Sequence, residues 1–486
     1  MSKCAPLLLA MMVAACTPGA PRPVTDVPLA PTSGGNGPTA PITPKSGPAQ
    51  NFAQAPVASQ WWTMFGNETL NGLVDRALAA NNDIATADAA LIQAREQARA
   101  AGAAALPTAD ASYQALRTQA TTALAPPIQD QNVLLYTLHT SQVTVSYPID
   151  VFGGIQHKIV SARATADVTR YKFQAARTTV IANLVLAVIQ NASLTAQIEA
   201  ANTNITANRQ VLQMLRTRQK LGAVGMLDIS AQETALATAE AVLPPLIRAQ
   251  AHTQAQIAAL IGIAPGNPLP ELPTLEHLTL PANLPLALPS DLVSQRPDVR
   301  AAKAQMEGAA ADVGTAIAAR LPAFQLSGTL GGSSTNFADM FASGNPFWTL
   351  VGGVTQPLFH GGALRHQQRA SEAAFAGSKS QYRAAALQAF VDVSDALTAL
   401  KTDGDLLDAT ARAQSAANRS LGYVTRQLQL GDVGTLTLLN AEATNAQASG
   451  VLIQARTARY TDTVALIQAL GGAWSEDKTT LNAGAK

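Results

Sequence analysis

One glycine-bracketed segment occurs twice in the chain and constrains its fold more than any other feature. The first copy is Lys220-Leu221-Gly222-Ala223-Val224-Gly225, and the second is Gln429-Leu430-Gly431-Asp432-Val433-Gly434. The two copies are 431 − 222 = 209 residues apart. Further residue pairs share this offset: Gly225 with Gly434, Glu233 with Glu442, Gly262 with Gly471, and Pro148 with Pro357. The sequence therefore predicts a tandem repeat.

Each copy is predicted to form the turn of a helical hairpin. A long Ala- and Gln-rich pattern without a helix breaker precedes each copy, and a shorter one follows it. Glycine adopts the left-handed conformation that ends a helix, so a new helix can start directly after the segment. We call these segments tip 1 (residues 220–225) and tip 2 (residues 429–434).

The composition favours helices that pack on more than one face. Charged residues make up 13% of the chain, compared with about 25% in ordinary globular proteins. Ala, Gln, Thr and Asn occupy helical positions that Lys and Glu usually fill. The formal net charge of +1 provides no electrostatic basis for binding nucleic acid or an anionic membrane surface.

The chain begins with a predicted signal peptide at residues 1–15, in which Lys3 precedes an apolar run. Val13-Ala14-Ala15-Cys16 resembles the bacterial lipobox, in which the cysteine is lipidated and becomes the mature N-terminus. The alternative is an ordinary signal peptide with an incidental cysteine. Cleavage would remove Cys4, so no disulfide is expected. Several acyl chains would give stable anchoring, and Thr17 is typical of outer-membrane rather than inner-membrane lipoproteins.

The first repeat is predicted to contain four parts after an extended, proline-rich tether at residues 16–58. A helix at 59–107, capped by Asn67, is followed by a β-hairpin at 108–150, where β-branched residues alternate with polar ones and Pro126-Pro127 marks the loop. A long helical hairpin at 151–264 and a connector at 265–289 complete it. Pro244-Pro245 is expected to kink or interrupt the shorter helix of the hairpin.

The second repeat is predicted to have the same order. A helix at 290–322, a β-hairpin at 323–360 and a long helical hairpin at 361–472 precede a C-terminal tail at 473–486. The fold class is mainly α with a small β part, built from long antiparallel helices. The longest helical patterns, about 67 residues, correspond to about 100 Å at 1.5 Å per residue.

Any passage of this chain through a membrane is predicted to use strands. No run of 18 or more apolar residues occurs, so no transmembrane helix is expected in the mature chain. The only other spanning structure is a closed β-barrel. Four strands per chain cannot close, two chains would give a filled eight-stranded barrel, and three would enclose water within twelve strands. A trimer is thus the smallest porous assembly.

With these elements placed, the sequence resembles the outer membrane factor family of tripartite efflux systems, the TolC-like channels, and within it the NodT-like lipoproteins. The resemblance covers about residues 61–474. The segments that carry it are the two tips, Asn82-Asp83-Ile84, Arg296-Pro297-Asp298-Val299-Arg300-Ala301-Ala302, Arg320-Leu321-Pro322, Thr355-Gln356-Pro357-Leu358-Phe359, Gly361-Gly362 and Leu470-Gly471-Gly472-Ala473-Trp474.

The resemblance implies a homotrimer in the bacterial outer membrane. Its twelve-stranded transmembrane β-barrel would continue into an α-barrel across the periplasm. Such channels passively export drugs or toxic small molecules when they engage a periplasmic adaptor and an inner-membrane pump of the resistance-nodulation-division class. Two alternatives remain: a type I secretion channel, and a non-conducting coiled-coil surface lipoprotein.

The resemblance also implies that the tips form the channel entrance and dock the adaptor. The candidate site residues, besides Cys16 for lipidation, are Gly222, Gly225, Asp228, Gly431, Asp432, Gly434 and Thr435. One hypothesis is that Asp228 or Asp432, repeated threefold, forms a carboxylate ring that favours cations. The alternative is that each aspartate caps the helix that follows it, where the helix dipole favours a negative charge.

No pattern in the sequence predicts an enzyme, a metal site or a cofactor. The six histidines lack spacing typical of metal ligands, and no Walker loop or nucleophile elbow is present. His360 and His366 straddle Gly361-Gly362, which fits either a weak metal pair or, better, a position at the barrel rim.

Overall fold

The computed structural model describes residues 40–53, 55, 57–119, 135–286 and 295–472. The predicted signal peptide, Cys16, most of the tether, the Pro126-Pro127 loop and the C-terminal tail lie outside the described residues. The helices are α1 (Glu68–Ala80), α2 (Asn82–Ala103), α3 (Gly154–Lys220), α4 (Met226–Leu260), α5 (Pro297–Ala318), α6 (Ala363–Leu430) and α7 (Thr435–Ala469). The strands are β1 (Asn51–Ala53), β2 (Thr108–Gln119), β3 (Leu135–Ile149), β4 (Asn283–Pro285), β5 (Ala323–Ser334) and β6 (Pro346–Thr355).

The described chain divides into two compact units. Unit 1 contains Leu91–Thr169 and Ala302–Tyr382. Unit 2 contains Arg170–Ala301 and the described parts of Val27–Ala90 and Arg383–Lys486.

The long helices confirm the helical hairpins predicted from the duplicated glycines. Helix α3 has 67 residues and α6 has 68, and the helices that follow them, α4 and α7, have 35 residues each. Salt bridges show that α3 and α4 run antiparallel, because Arg216 pairs with Glu233 and Arg209 pairs with Glu240. These pairs are half-exposed, so they fix the register of the two helices more than they stabilise the fold.

Helix α3 is, within the described ranges, the helix long and apolar enough to cross a membrane by length and composition. Its most apolar stretch is 61% buried inside the protein. Leu184, Val185 and Val188 of this helix are fully buried in the apolar core of unit 2. Core packing therefore accounts for the apolar stretch.

The core of unit 2 includes aromatic side chains from the start of the first repeat. Trp61 and Phe65, in a short 3-10 helix, are 1% and 0% exposed and pack with the buried side chains of α1 and α3. Gly66 ends this helix with a positive φ of 64°. Asn67 caps α1 as predicted, since its Oδ1 accepts a hydrogen bond from the Leu70 N–H at 2.9 Å.

The helix predicted to continue from Asn67 to residue 107 is in fact two helices that meet at Asn81, which we call joint 1. Asn81 has an extended backbone, and its Oδ1 accepts hydrogen bonds from the Asp83 and Ile84 N–H groups. Its Nδ2 donates to the Leu260 oxygen at the end of α4 at 3.0 Å. The single expected helix was wrong because the Asn81 side chain satisfies the ends of two helices at once.

The equivalent place in the second repeat, joint 2, is built around Arg296, directly before α5. The Arg296 Nη1 donates to the Ala469 oxygen at the end of α7 at 3.0 Å. The guanidinium also pairs with Asp298 and Asp392, each at 2.8 Å. Burial disfavours the charge of Arg296, but the hydrogen bonds and charges of both carboxylates outweigh this effect and raise its pKa. Pro297 occupies the first helical position, where its missing N–H costs nothing.

Helix α4 passes through Pro244 and Pro245 without interruption, so of the two predicted outcomes, a kink or an interruption, the interruption does not occur. The two prolines remove two backbone donors from a helix of 35 residues. Both prolines are exposed, as are Glu240 and Ala241, so the carbonyls left without partners can be hydrated.

Both predicted β-hairpins are present in unit 1, and they join into one antiparallel sheet of order β2-β3-β5-β6. Val143 of β3 pairs with Leu330 of β5, which pairs with Trp348 of β6. Residues paired across antiparallel strands share a face, and these three are 46%, 65% and 75% exposed. The opposite face is polar, with the Thr144 and Thr329 hydroxyls 3.3 Å apart. The sheet therefore exposes an apolar face and has strands β2 and β6 at its edges.

The described part of the predicted tether contains backbone pairing. Strand β1 pairs in parallel with β4 of the connector. Ile42 and Gln50 exchange two backbone hydrogen bonds of 2.9 Å. The tether was predicted to be extended without pairing, but β1 pairs with another strand because residues 51–53 contain no proline and keep their backbone N–H groups.

Candidate functional site at the helical tips

Tip 1 ends α3 with two hydrogen bonds that satisfy backbone groups left open at a helix end. The Gly222 N–H donates to the Gln219 oxygen at 2.8 Å, and the Ala223 N–H donates to the Arg218 oxygen at 2.9 Å. Gly222 has a φ of +76°, a conformation that side chains with a Cβ disfavour. This geometry reverses the chain within a few residues.

Tip 2 repeats this geometry at the end of α6. The Gly431 N–H donates to the Leu428 oxygen at 3.2 Å, and the Asp432 N–H donates to the Gln427 oxygen at 2.9 Å. Gly431 has a φ of +85°. The sequence prediction that these two glycines take the left-handed conformation is confirmed.

Two exposed leucines accompany each tip at equivalent positions, one within the tip and one in the first turn of the helix that follows it. Leu221 and Leu430 are 79% and 71% exposed, and Leu227 and Leu436 are 84% and 70% exposed. Both pairs are related by the offset of 209 (430 − 221 and 436 − 227). Large apolar side chains left in water at matching positions of a repeat are typical of a binding surface.

The two tip aspartates have different surroundings. Asp228 lies in the first turn of α4, and its Oδ2 accepts a hydrogen bond from the Gly225 N–H at 3.3 Å. Asp432 is exposed, and at Gly434, directly before α7, no side chain of the described residues caps the helix. Thr435, the first residue of α7, is 4% exposed and packs inward. The capping alternative therefore fits Asp228 and not Asp432.

A cation links the two tips of one chain. The Arg218 Nη1 donates to the Leu428 oxygen at 2.9 Å, and its Nη2 donates to the Gln429 oxygen at 3.2 Å. A cation at the C-terminal carbonyls of α6 is favoured by the helix dipole. Sequence reasoning missed this residue; the available signal was a basic side chain in the last turn of α3, 210 residues before its partner.

A buried polar layer lies behind the tips. Gln232 of α4 is 0% exposed, and its Nε2 donates to the Asn208 Oδ1 of α3 at 2.9 Å. Glu442 of α7 is 7% exposed, and burial raises its pKa, although a hydrogen bond with Gln232 opposes the shift. This layer connects the helices of both hairpins. Its side chains are buried, so water cannot replace a hydrogen-bond partner that is lost.

The histidines and acidic residues do not assemble into a metal centre in the part of the chain that the structure describes. No group of three or more His, Cys, Asp or Glu side chains there is arranged to hold a metal ion. His366 lies on α6, where its backbone N–H donates to the Gly362 oxygen at 3.1 Å. This backbone hydrogen bond belongs to the first turn of the helix.

The chain is similar to known proteins in both sequence and fold. The chain is 30% identical over 456 residues to the pyoverdine export outer membrane protein OpmQ of Pseudomonas putida, covering 91% of this chain and 95% of that protein. It is 27% identical over 448 residues to the toluene efflux pump outer membrane protein TtgC of the same species, covering 91% of each. The solved structure of the outer-membrane channel OprN covers 94% of this chain and all of its own, with a TM-score of 0.85 and 24% identity.

The fold, the duplicated tips and these similarities define the protein as an outer-membrane channel component of an efflux system. The model of the outer membrane efflux protein family matches residues 73–263 and 288–472. The chain belongs to this family. The resemblance predicted from the sequence is confirmed, together with its outer-membrane location and TolC-like fold.

Proposed function

We propose that three copies of the chain form a passive outer-membrane conduit for toxic small molecules. The observation that carries this proposal is the sheet of unit 1, which exposes an apolar face while β2 and β6 each pair on one side only. An exposed apolar face suits lipid, and edge strands in lipid require partners. Three sheets of four strands supply the twelve strands that enclose water.

This proposal is tested by reconstituting the purified protein in planar bilayers and heating it in detergent. A heat-modifiable trimer that conducts ions supports the channel. A conducting protein that exports a polypeptide substrate when coupled to a transporter would support the type I secretion alternative. A monomer without conductance would support the surface lipoprotein.

Lipidation of Cys16 would anchor each chain to the outer membrane at its mature N-terminus. The supporting feature is the lipobox-like Val13-Ala14-Ala15-Cys16 followed by a proline-rich tether. Metabolic labelling with a clickable palmitate analogue should mark the wild-type chain and not Cys16→Ala. Labelling of Cys16→Ala would contradict the assignment.

The substrate class is proposed from the relatives. Two relatives carry names that refer to pyoverdine export and toluene efflux. Because these substrates differ while the channel fold is shared, substrate selection is assigned to an inner-membrane resistance-nodulation-division pump. Deletion of the gene should sensitise cells to the substrates of the pump that crosslinks to it.

The tips are proposed to dock the periplasmic adaptor through their paired leucines. Replacing Leu227 and Leu436 with Asp should abolish co-purification of adaptor and pump after crosslinking. The matched control is Val242→Asp, which changes an apolar side chain that is 51% exposed in the middle of α4. Equal loss with the control, or no loss with the leucine variants, would contradict the docking role.

Asp432 is proposed to line the entrance, where threefold repetition would favour cations. Its carboxylate is exposed, while that of Asp228 caps a helix. Asp432→Ala should lower cation selectivity and change single-channel conductance, whereas Asp228→Ala should leave both unchanged. Unchanged conductance and selectivity in Asp432→Ala would exclude the ring.

A further inference from the structure

Residues 42–53, in the described part of the tether, are held on helices α6 and α7 by close packing. A Cβ added to Gly47 would lie 2.7 Å from Leu407 Cδ2, and one added to Gly404 would lie 2.9 Å from Ile42 Cγ2. The segment therefore fits directly against α6. We call it the attachment segment.

Polar contacts attach the segment at an exposed point and at a buried point. At the exposed point, the Asp408 carboxylate of α6 accepts hydrogen bonds from the N–H groups of Lys45 and Ser46, at 3.0 and 2.8 Å. At the buried point, the Arg459 Nη2 of α7 donates to the Pro48 oxygen at 2.9 Å and to the Gln50 Oε1 at 2.8 Å. Arg459 is 2% exposed, so its guanidinium depends on these partners.

Two carboxyl groups meet beside Arg459. Asp403 of α6 is 7% exposed and lies within hydrogen-bonding distance of the Asp462 carboxyl of α7. Two carboxylates in such contact repel each other unless they share a proton. Among the described residues, the Asp403 Oδ2 has no hydrogen-bond partner, nor do the Nε and Nη1 atoms of Arg459. The carboxyl and the guanidinium interact electrostatically, so the site contains an unused acceptor and unused donors of opposite charge.

We propose that the Asp403–Asp462 pair is a proton-binding site that controls the attachment of residues 42–53 to α6 and α7. While the pair shares a proton, it carries one negative charge, and Arg459 remains bonded to Pro48 and Gln50. Loss of the proton to solvent leaves two carboxylates in contact, with that of Asp403 buried. These carboxylates then attract the Nε and Nη1 groups of Arg459, and the bonds from its guanidinium to the attachment segment are lost.

The neighbouring ionisable groups do not replace the pair in this role. On α6, Asp408 is exposed, and its pKa is lowered chiefly by the Lys45 backbone hydrogen bond, with a smaller contribution from Arg412. On α7, burial raises the pKa of Tyr460, which Arg456 and Arg459 oppose, and the Tyr460 hydroxyl donates to the Leu278 oxygen. From the segment itself, Lys45 contributes its backbone N–H.

The direction of the pH effect follows from the raised pKa of Asp403. Burial, reinforced by the hydrogen bond and charge of Asp462, raises this pKa to about 7, while Arg459 lowers it in part. A carboxyl exposed by release of the segment would return toward its ordinary value of 3.8. The attached state therefore binds the proton more tightly, and attachment weakens as pH rises from about 4 to about 7.

The test is amide hydrogen exchange of the full chain in detergent, corrected for intrinsic rates, between pH 5 and 8. The probes are the Ile42 and Gln50 amides, which hydrogen-bond each other's carbonyls. Protection of both should fall by up to about tenfold per pH unit between pH 5 and 7, and should level off above that range. Protection that does not vary with pH would overturn the proposal.

Variants separate the proton site from ordinary packing. Asp403→Asn should keep the segment attached and remove the pH dependence. The matched control, Asp408→Asn, loses an exposed contact with the same segment, so protection should drop at every pH while the slope is unchanged. A wild-type slope in Asp403→Asn would overturn the proposal. Since neither conduction nor docking enters the measurement, this outcome is independent of the proposed channel.

Discussion

Joints 1 and 2 solve the same structural problem in the two repeats with different chemistry. In each, one side chain caps the last turn of a 35-residue helix, at Leu260 in joint 1 and at Ala469 in joint 2, and these carbonyls are 469 − 260 = 209 residues apart. The same side chain precedes a 22-residue helix. Joint 1 uses the neutral amide of Asn81, and joint 2 uses the guanidinium of Arg296 with two carboxylates.

The difference shows that the repeat preserves backbone geometry rather than charge. A glycine with positive φ follows the capped carbonyl in both joints, at Gly262 and Gly471. A Cβ on Gly262 would collide with the Ala80 oxygen, and one on Gly471 would lie 3.2 Å from Arg296 Cγ. The close approach is therefore common to both repeats, while the capping group differs.

The largest expected effect is in joint 2. Arg296→Ala leaves Asp298, Asp392 and the Ala469 carbonyl without their shared donor, and we expect unfolding to become easier by about 3 kcal/mol. Denaturant unfolding followed by circular dichroism measures this loss. Arg296→Lys, which keeps the charge without the forked geometry, should lie between the wild type and the alanine variant. A smaller loss than that of Asn81→Ala would reverse the ranking of the joints.

In joint 1, Asn81→Ala removes a cap and a neutral hydrogen bond, so we expect a loss of about 1–2 kcal/mol in the same assay. Asn81→Asp serves as its control. The aspartate can still accept from the Asp83 and Ile84 N–H groups but cannot donate to Leu260. A loss equal to that of Asn81→Ala would show that the bond to Leu260 carries the whole effect.

The tips provide a matched pair with equal expected costs. An added Cβ meets nothing within 4 Å at either Gly222 or Gly431. Replacing either glycine with alanine should therefore cost only the left-handed conformation, about 1 kcal/mol, measured by the same unfolding. A clear difference between the two losses in the free energy of unfolding would show that the two tips do not contribute equally to stability.

The smallest expected effect distinguishes the two tip aspartates. Asp228→Asn weakens the charge at the start of α4 and should cost about 0.5 kcal/mol, whereas Asp432→Asn should leave unfolding unchanged. High-precision denaturant midpoints in low salt measure both. Equal losses would mean that Asp432 also stabilises a helix end, and the capping alternative would then apply to both residues.

The sequence predicted the two helical hairpins, at 151–264 and 361–472, to within about four residues at each end, because the ends of their helices are set by local chemistry. A glycine that takes the left-handed conformation ends a helix, and Gly222 and Gly431 both do so. The break at Asn81 was not predicted, because an asparagine ends a helix only where its side-chain amide has a hydrogen-bond partner, which here is the Leu260 oxygen. Pro244-Pro245 does not interrupt α4, because tertiary context can outweigh the unfavourable helix propensity of proline.

At the tips, the glycines and Asp228 could be placed from the sequence, but Arg218 could not. The Asp403–Asp462 pair could not be placed from the sequence either. Arg218 contacts a carbonyl 210 residues away, and Asp403 meets Asp462 only when α6 and α7 pack. Such contacts depend on the relative rotation of long helices. Periodicity in an Ala-rich helix with few charges defines that rotation poorly.

The attachment segment also has a consequence for how the chain completes its fold. Its partners Asp408 and Arg459 lie 363 and 411 residues further along. Contacts of such sequence separation form slowly, and here residues 42–53 have no partner on α7 until that helix is synthesised. We therefore expect chains truncated before Arg459 to leave residues 42–53 open to proteases, which makes protection of this segment a marker of a chain synthesised through α7.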